Sequence, residues 1–165
     1  MLSSDGIYEE ILQSRIHYSS DSWHFMENGN QSANRSNLAC GDRIEVSLCN
    51  KNGVIHDISF SGNCCSTVKL SASLMTEEVK GKTVDEVKDM FVKIQKVVTS
   101  DDKYINDYDS LLPILIKQLS IMSNDRNFRQ STKCVLLPWQ TMLNALDSKK
   151  ISSSVTEKDY SLYIY

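Results

Sequence analysis

The sequence lacks any run of about 20 apolar residues, the length that a membrane-spanning helix requires. It also has little excess charge, with 18 Lys and Arg residues against 21 Asp and Glu residues and a net charge of -3. No basic stripe is present that could neutralise the phosphates of a nucleic acid. We therefore expect neither a membrane nor a nucleic acid as partner, and we expect the functional partner to be another protein.

Disulfide and export signals are also lacking. Five cysteines, two of them adjacent at Cys64 and Cys65, suit a disulfide framework poorly. The opening segment carries acidic residues and has no apolar core of the roughly seven to fifteen residues that a secretory signal needs. We expect a soluble, cytoplasmic protein. Its 165 residues allow one ordinary hydrophobic core, and we predict a single domain over residues 1–150 followed by a tail over residues 151–165.

Hydrophobic spacing predicts both strands and helices. Alternating apolar residues over 44–48, then Asn52-Gly53, then a second run ending at Phe60 predict an antiparallel β-hairpin. Helical spacing marks residues 6–18, 66–80, 83–98, 111–122 and the segment that opens at Cys134, with polar loops over 19–37, 100–108 and 123–133. We predict an α+β fold, in which a small antiparallel sheet of about three strands has helices packed on one side.

Four side chains have the chemistry of a single metal site. Cys40 and Asp42 lie two positions apart, and residues i and i+2 of an extended segment point to the same side. Cys65 and Cys134 each come just before a helix-like run, so both are expected at helix N-termini. Thiolates and a carboxylate suit zinc or an iron–sulfur cluster. Spacing alone leaves two interpretations open, a metal site and a set of small buried apolar side chains.

Four segments of the chain resemble, in order, the motifs of the IscU/SufU/NifU N-terminal family. They are Ala39-Cys40-Gly41-Asp42-Arg43-Ile44, Phe60-Ser61-Gly62-Asn63-Cys64-Cys65-Ser66, Ser71-Ala72-Ser73-Leu74-Met75-Thr76-Glu77 followed by Gly81-Lys82-Thr83, and Lys133-Cys134-Val135-Leu136-Leu137-Pro138-Trp139. The resemblance implies an IscU-like fold. Lys133 stands where IscU proteins carry a His, and the long stretch between Cys65 and Cys134 resembles an insertion of SufU proteins, so the SufU branch is favoured.

The resemblance to SufU proteins implies a zinc-dependent sulfurtransferase. It implies that Cys40, Asp42, Cys65 and Cys134 bind zinc, and that Cys40 is the catalytic residue that accepts persulfide sulfur. The implied partners are a SufS-type cysteine desulfurase and downstream iron–sulfur assembly proteins. Two alternatives stay open: an IscU-like scaffold that assembles a [2Fe–2S] cluster on the same ligands, and a purely structural zinc protein. Cys64 replaces the small residue usual before the second motif cysteine, and we expect it to be a tolerated side chain.

Overall fold

The computed structural model describes residues 26–99 and 131–148. Within these ranges, three strands precede three helices along the chain. They are β1 (Gln31–Asn37), β2 (Asp42–Lys51), β3 (Val54–Asn63), α1 (Ser66–Val79), α2 (Val84–Thr99) and α3 (Ser131–Asp147). The strands form one antiparallel sheet in the order β1-β2-β3. The predicted α+β class and the predicted three-stranded sheet are confirmed.

The turn between β2 and β3 lies at Asn52-Gly53, as the sequence predicts. Both residues have a positive φ, 54° at Asn52 and 79° at Gly53, which is the combination that a two-residue hairpin turn requires. The turn sets a register in which Val46 lies opposite Phe60. Because alternate residues of a strand share a face, this register brings the apolar side chains of both strands to the same side of the sheet.

The helices cover that apolar face. Helix α3 contacts β1 and β2, α1 contacts β3, and α2 packs against α3. The largest fully buried side chains come from the strands and from all three helices: Trp139, Phe60, Ile44, Leu48, Ile55, Ile58, Leu74, Met75 and Ile94. Met75 and Trp139, which belong to two of the four motifs, are therefore core residues.

Strand β1 corrects the prediction of a loop over residues 19–37. Gln31–Asn37 is an edge strand, although it has no alternation of large apolar residues. Ala33 packs against the hydrophobic core, and polar side chains of the strand contact α3. The Gln31 amide donates to two carbonyl oxygens at the end of α3, at 3.0 Å each, and Arg35 Nη1 donates to Gln140 Oε1 at 2.8 Å. A strand held by polar contacts does not show the alternating large apolar residues from which a strand is predicted.

The bounds of α1 and α2 agree with the predictions to within one residue, whereas α3 begins earlier than expected. Ser131 starts α3, so Cys134 is the fourth residue of the helix and does not precede it. The polar residues before Cys134 extend the helix without adding to its apolar period, so the period alone places the start too late. The placement of Cys65 at the N-terminus of α1 is confirmed.

The predicted helices at 6–18 and 111–122 and the predicted loop at 100–108 lie outside the described residues. The proposed tail over 151–165 does so as well, and the division into a domain over 1–150 and a tail stays a prediction. Among the helices that are described, none is both long enough and apolar enough to cross a bilayer.

Candidate metal centre

The predicted ligands lie at the end of the sheet away from the hairpin turn. Cys40 is in the turn that joins β1 to β2, and its N–H donates to the Asn37 carbonyl oxygen at 3.2 Å. Gly41 adopts a φ of 70°, in the left-handed region that favours glycine. Cys40 and Asp42 are therefore brought together by a turn. The extended segment assumed from their spacing is wrong for this part of the chain.

Three of the four predicted ligands converge. One ligand atom from each of Cys40, Asp42 and Cys134 lies within 4.8 Å of the other two. The Sγ of Cys134 is 3.6 Å from the Sγ of Cys40 and 3.6 Å from Oδ2 of Asp42. Two sulfurs and a carboxylate oxygen form a donor set that zinc and iron both accept. The residues therefore fit a metal in mixed sulfur and oxygen coordination.

Cys65 lies beside this group without being part of it. It is the N-cap residue of α1, and its N–H donates to Oδ1 of Asp42 at 2.6 Å. Asp42 is thus fixed between two elements, with one oxygen towards α1 and the other towards Cys134. The Sγ of Cys65 is not among the atoms that lie within 4.8 Å of one another. Ligation by Cys65 would require its sulfur to come closer to the group.

The local electrostatics oppose a thiolate at Cys134. Burial is the largest cause that raises the pKa of this thiol, and the hydrogen bond with Cys40 and the negative charges of Cys65, Cys40 and Asp42 raise it further. Several groups that would each carry a negative charge are thus collected in one small volume. A bound cation would reverse this balance, because it favours the deprotonated ligands.

Cys64 has a different environment from the three converging residues. Its Sγ donates to the Arg43 carbonyl oxygen at 3.1 Å, and its side chain is half-buried. Burial, followed by the charges of Asp42 and Cys65, raises the pKa of the Cys64 thiol to about 11. A raised pKa disfavours the thiolate, which is the nucleophilic form of cysteine. The expectation that Cys64 is a tolerated side chain stays a prediction.

The three converging residues differ strongly in exposure. Asp42 and Cys134 are each 3% exposed, whereas Cys40 lies on the surface. Leu38, in the same turn as Cys40, is 88% exposed. Of the three, only Cys40 presents its side chain to an approaching protein.

Asn37 is a residue of this site that the sequence did not single out. It is the last residue of β1, and its Nδ2 donates to the Sγ of Cys134 at 3.7 Å. Its Oδ1 accepts the N–H of Ala39 at 3.2 Å. An Asn side chain that binds a backbone N–H two residues on is typical of a turn. The Asn three residues before Cys40 could therefore have predicted the turn, although not the contact with Cys134.

A comparison with protein families decides where this fold and site belong. The family model described as "NifU-like N terminal domain" matches residues 19–108. This chain belongs to that family. The resemblance to the IscU/SufU/NifU N-terminal family that the motifs predict is confirmed. Cys134 lies beyond the matched residues, and its place beside Cys40 and Asp42 is established by the distances between them.

Similar proteins cover most of the chain. An iron–sulfur cluster assembly scaffold protein, IscU of Thermotoga maritima, is 33% identical over 116 residues, which are 70% of this chain and 75% of that protein. A zinc-dependent sulfurtransferase, SufU of Bacillus subtilis, is 25% identical over 138 residues, which are 84% of this chain and 88% of that protein. A SufU-type scaffold protein for the SUF system from Fervidobacterium islandicum AW-1 superposes with a TM-score of 0.68 at 25% identity, covering 80% of this chain and 93% of that one. The predicted IscU-like fold is confirmed.

Proposed function

We propose that this chain is a zinc-dependent sulfurtransferase, which accepts persulfide sulfur on Cys40 from a SufS-type cysteine desulfurase for iron–sulfur cluster assembly. The unequal exposure of the site carries the proposal. Cys40 is exposed, whereas Asp42 and Cys134, whose ligand atoms lie within 4.8 Å of its own, are buried. A sulfur acceptor needs a thiol that a donor protein can reach and an anchored metal site that controls it. Similarity to a protein named as a zinc-dependent sulfurtransferase supports the same function.

The transfer step is a thiol–persulfide exchange. The thiolate of Cys40 attacks the terminal sulfur of a persulfide carried by the donor cysteine. A bond forms between the Sγ of Cys40 and that sulfur, while the sulfur–sulfur bond of the donor breaks and the donor cysteine leaves as a thiolate. The sulfur arrives on Cys40 as a persulfide. Nothing is oxidised or reduced overall, so the step needs no further reagent.

Cys40, Asp42, Cys65 and Cys134 are the residues that would hold zinc. Bound zinc would keep the thiols deprotonated and would add no redox chemistry of its own. The buried Asp42 and Cys134 would anchor the site, because the N–H of Cys65 orients the carboxylate and α3 carries the thiol. The exposed Cys40 would be the ligand that leaves the site to react.

A second candidate function is an IscU-like scaffold for a [2Fe–2S] cluster. The 33% identity to a protein named as an iron–sulfur cluster assembly scaffold favours it. The sulfur-rich donor set suits that cluster as well as zinc. In this case the same four residues would hold the cluster. A purely structural zinc protein is the third alternative.

Anaerobic purification followed by metal analysis and a desulfurase assay separates these functions. Colourless protein that holds one zinc and accelerates a SufS-type desulfurase supports the sulfurtransferase, provided that mass spectrometry finds the added sulfur on Cys40. A brown protein with bound iron supports the scaffold. Zinc without any acceleration supports the structural protein. A chain that holds no metal and leaves the desulfurase unchanged contradicts all three.

A further inference from the structure

We propose that Asn37 is a positioning residue of the metal centre, whose carboxamide holds the Cys40 turn and the Cys134 sulfur in one arrangement. Asn37 is not one of the four proposed ligands. The inference rests on the proposed function, because it concerns the same metal site.

On one side, Asn37 binds the turn that carries Cys40. The carbonyl oxygen of Asn37 accepts the N–H of Cys40, and its Oδ1 accepts the N–H of Ala39, both at 3.2 Å. Backbone and side chain of a single residue therefore both hold this turn. In the register of β1 and β2, Asn37 also lies opposite Asp42. Asn37 thus adjoins two of the proposed ligands through the local chain.

On the other side, Asn37 contacts the sulfur of Cys134, which lies on α3, 97 residues further along the chain. The Nδ2 of Asn37 donates to this sulfur at 3.7 Å. Because Oδ1 is engaged by the N–H of Ala39, the amide is oriented with its nitrogen towards the sulfur. The carboxamide therefore ties the exposed ligand to the buried one.

A donor N–H on a metal-bound thiolate withdraws charge from the sulfur and fixes its direction. Contacts of this kind around a metal typically change its affinity by about 10- to 100-fold. Hydrogen bonds to ligand sulfurs also tune the electronic properties of a metal centre. If Asn37 only shaped the turn, its loss would change affinity without changing the electronic environment of the sulfur.

Two substitutions separate the sulfur contact from the turn contact. Asn37→Asp is nearly isosteric and keeps Oδ1 as an acceptor for Ala39, but it replaces the donor by a negatively charged oxygen. Asn37→Ser keeps a short oxygen near the turn without added charge, and it lacks the amide donor. Asn34→Asp is the matched control, because it adds the same charge at an exposed position of the same strand.

The test is Co²⁺ binding by the full chain, measured by chelator competition and by the energy of the sulfur-to-cobalt charge-transfer bands. We expect both Asn37 variants to bind Co²⁺ about 10- to 100-fold more weakly and to move these bands to lower energy, while Asn34→Asp matches the wild type. Unchanged bands in both Asn37 variants, at any affinity, overturn the inference and leave the proposed function intact. A wild-type chain that binds neither Co²⁺ nor zinc overturns the proposed function itself.

Discussion

The sulfur atoms of Cys40 and Cys134 lie 3.6 Å apart, although Cys40 is exposed and Cys134 is buried. The contact between these two sulfur atoms therefore links the surface of the protein to its core. Cys134 is carried by a helix that packs on the sheet, whereas Cys40 is carried by a turn. We infer that the two cysteines divide the proposed roles: Cys134 would anchor the metal, and Cys40 would react with the donor.

Replacing Cys40 by Ala tests this division. We expect Cys40→Ala to reduce acceleration of the desulfurase to the basal rate and to abolish persulfide formation on the chain, because the only exposed thiol of the converging group is removed. Circular dichroism should still report a folded protein, since an exposed turn residue contributes little to the core. Cys49→Ala, a half-buried cysteine next to the β-bulge of the hairpin, should keep the activity. Undiminished acceleration by Cys40→Ala would contradict the assignment of Cys40 as acceptor.

Leu38 provides a test of partner contact. Leu38 lies two residues before Cys40 in the same turn and is 88% exposed, so we expect a donor that docks at Cys40 to contact it. We expect Leu38→Asp to raise the KM for the desulfurase by about 10-fold. Such a change corresponds to a loss of roughly 1.4 kcal/mol of binding free energy. The metal content should stay unchanged.

Val92→Asp is the matched control for Leu38→Asp. Val92 is the other large exposed apolar side chain in the described part of the chain, and it lies on α2. The control should leave the KM unchanged. Equal effects of the two substitutions would mean that the docking surface is not centred on the Cys40 turn.

Local signals explain which elements the sequence predicts well. Asn52-Gly53 requires a turn with positive φ at both residues, and that turn determines the hairpin wherever the rest of the chain lies. Thr83 and Glu86 form reciprocal hydrogen bonds that fix the start of α2. Each of these signals is complete within four residues.

Tertiary contacts explain what the sequence does not predict. Besides its pairing with β2, strand β1 is held by bonds from Gln31 to the end of α3, more than 100 residues away. The contact of Asn37 with Cys134 likewise spans 97 residues. The four candidate ligands could be selected from the motifs, but the absence of the Cys65 sulfur from the converging group depends on distances in the folded chain. Residue spacing carries no information of that kind.

Gly62 is predicted to be intolerant of a side chain. Its φ is 134°, and a Cβ at this position would overlap with the carbonyl oxygen of Arg43 on the neighbouring strand. The same oxygen accepts the thiol of Cys64. We expect Gly62→Ala to lower the free energy of unfolding by about 3 kcal/mol, through backbone strain and displacement of β2.

Gly53→Ala is the control for Gly62→Ala, since Gly53 also has a positive φ but has open space around it. We expect Gly53→Ala to lower the free energy of unfolding only by the cost of a left-handed backbone at a residue with a Cβ, about 1–2 kcal/mol. Urea unfolding measures both variants. Equal costs at the two positions would contradict the predicted overlap with Arg43.

The buried hydroxyl of Ser71 joins α1 to α3 at Val135, the residue that follows Cys134. Its Oγ accepts the indole N–H of Trp139 at 3.1 Å and donates to the Val135 carbonyl oxygen at 2.6 Å. We expect Ser71→Ala to cost about 1–3 kcal/mol of unfolding free energy, because the indole N–H is left buried without its acceptor. Ser36→Ala, at an exposed position of β1, should stay within about 0.5 kcal/mol of the wild type. A Ser71 variant as stable as this control would mean that the two hydrogen bonds of Ser71 contribute nothing to the free energy of unfolding.

The carboxylate of Glu86 makes the start of α2 sensitive to pH. It accepts the N–H of Thr83 at 2.7 Å and the Thr83 hydroxyl at 2.9 Å, and these bonds, the backbone one first, hold the pKa of Glu86 below its usual 4.5. Because the folded-state pKa is the lower one, the stabilisation is complete above the unfolded-state pKa and is lost as the pH falls through the folded-state pKa.

We therefore expect Glu86→Gln to be less stable than the wild type near neutral pH, and the difference to shrink as the pH falls below 4.5. Urea unfolding across this pH range measures the difference, and NMR titration of the Glu86 carboxyl carbon gives the pKa directly. In a Thr83→Ala background the effect of Glu86→Gln should be smaller, because one of the two hydrogen bonds is already absent. A Glu86 carboxyl that titrates at 4.5 or above would show that the bonds to Thr83 do not favour its charged form in solution.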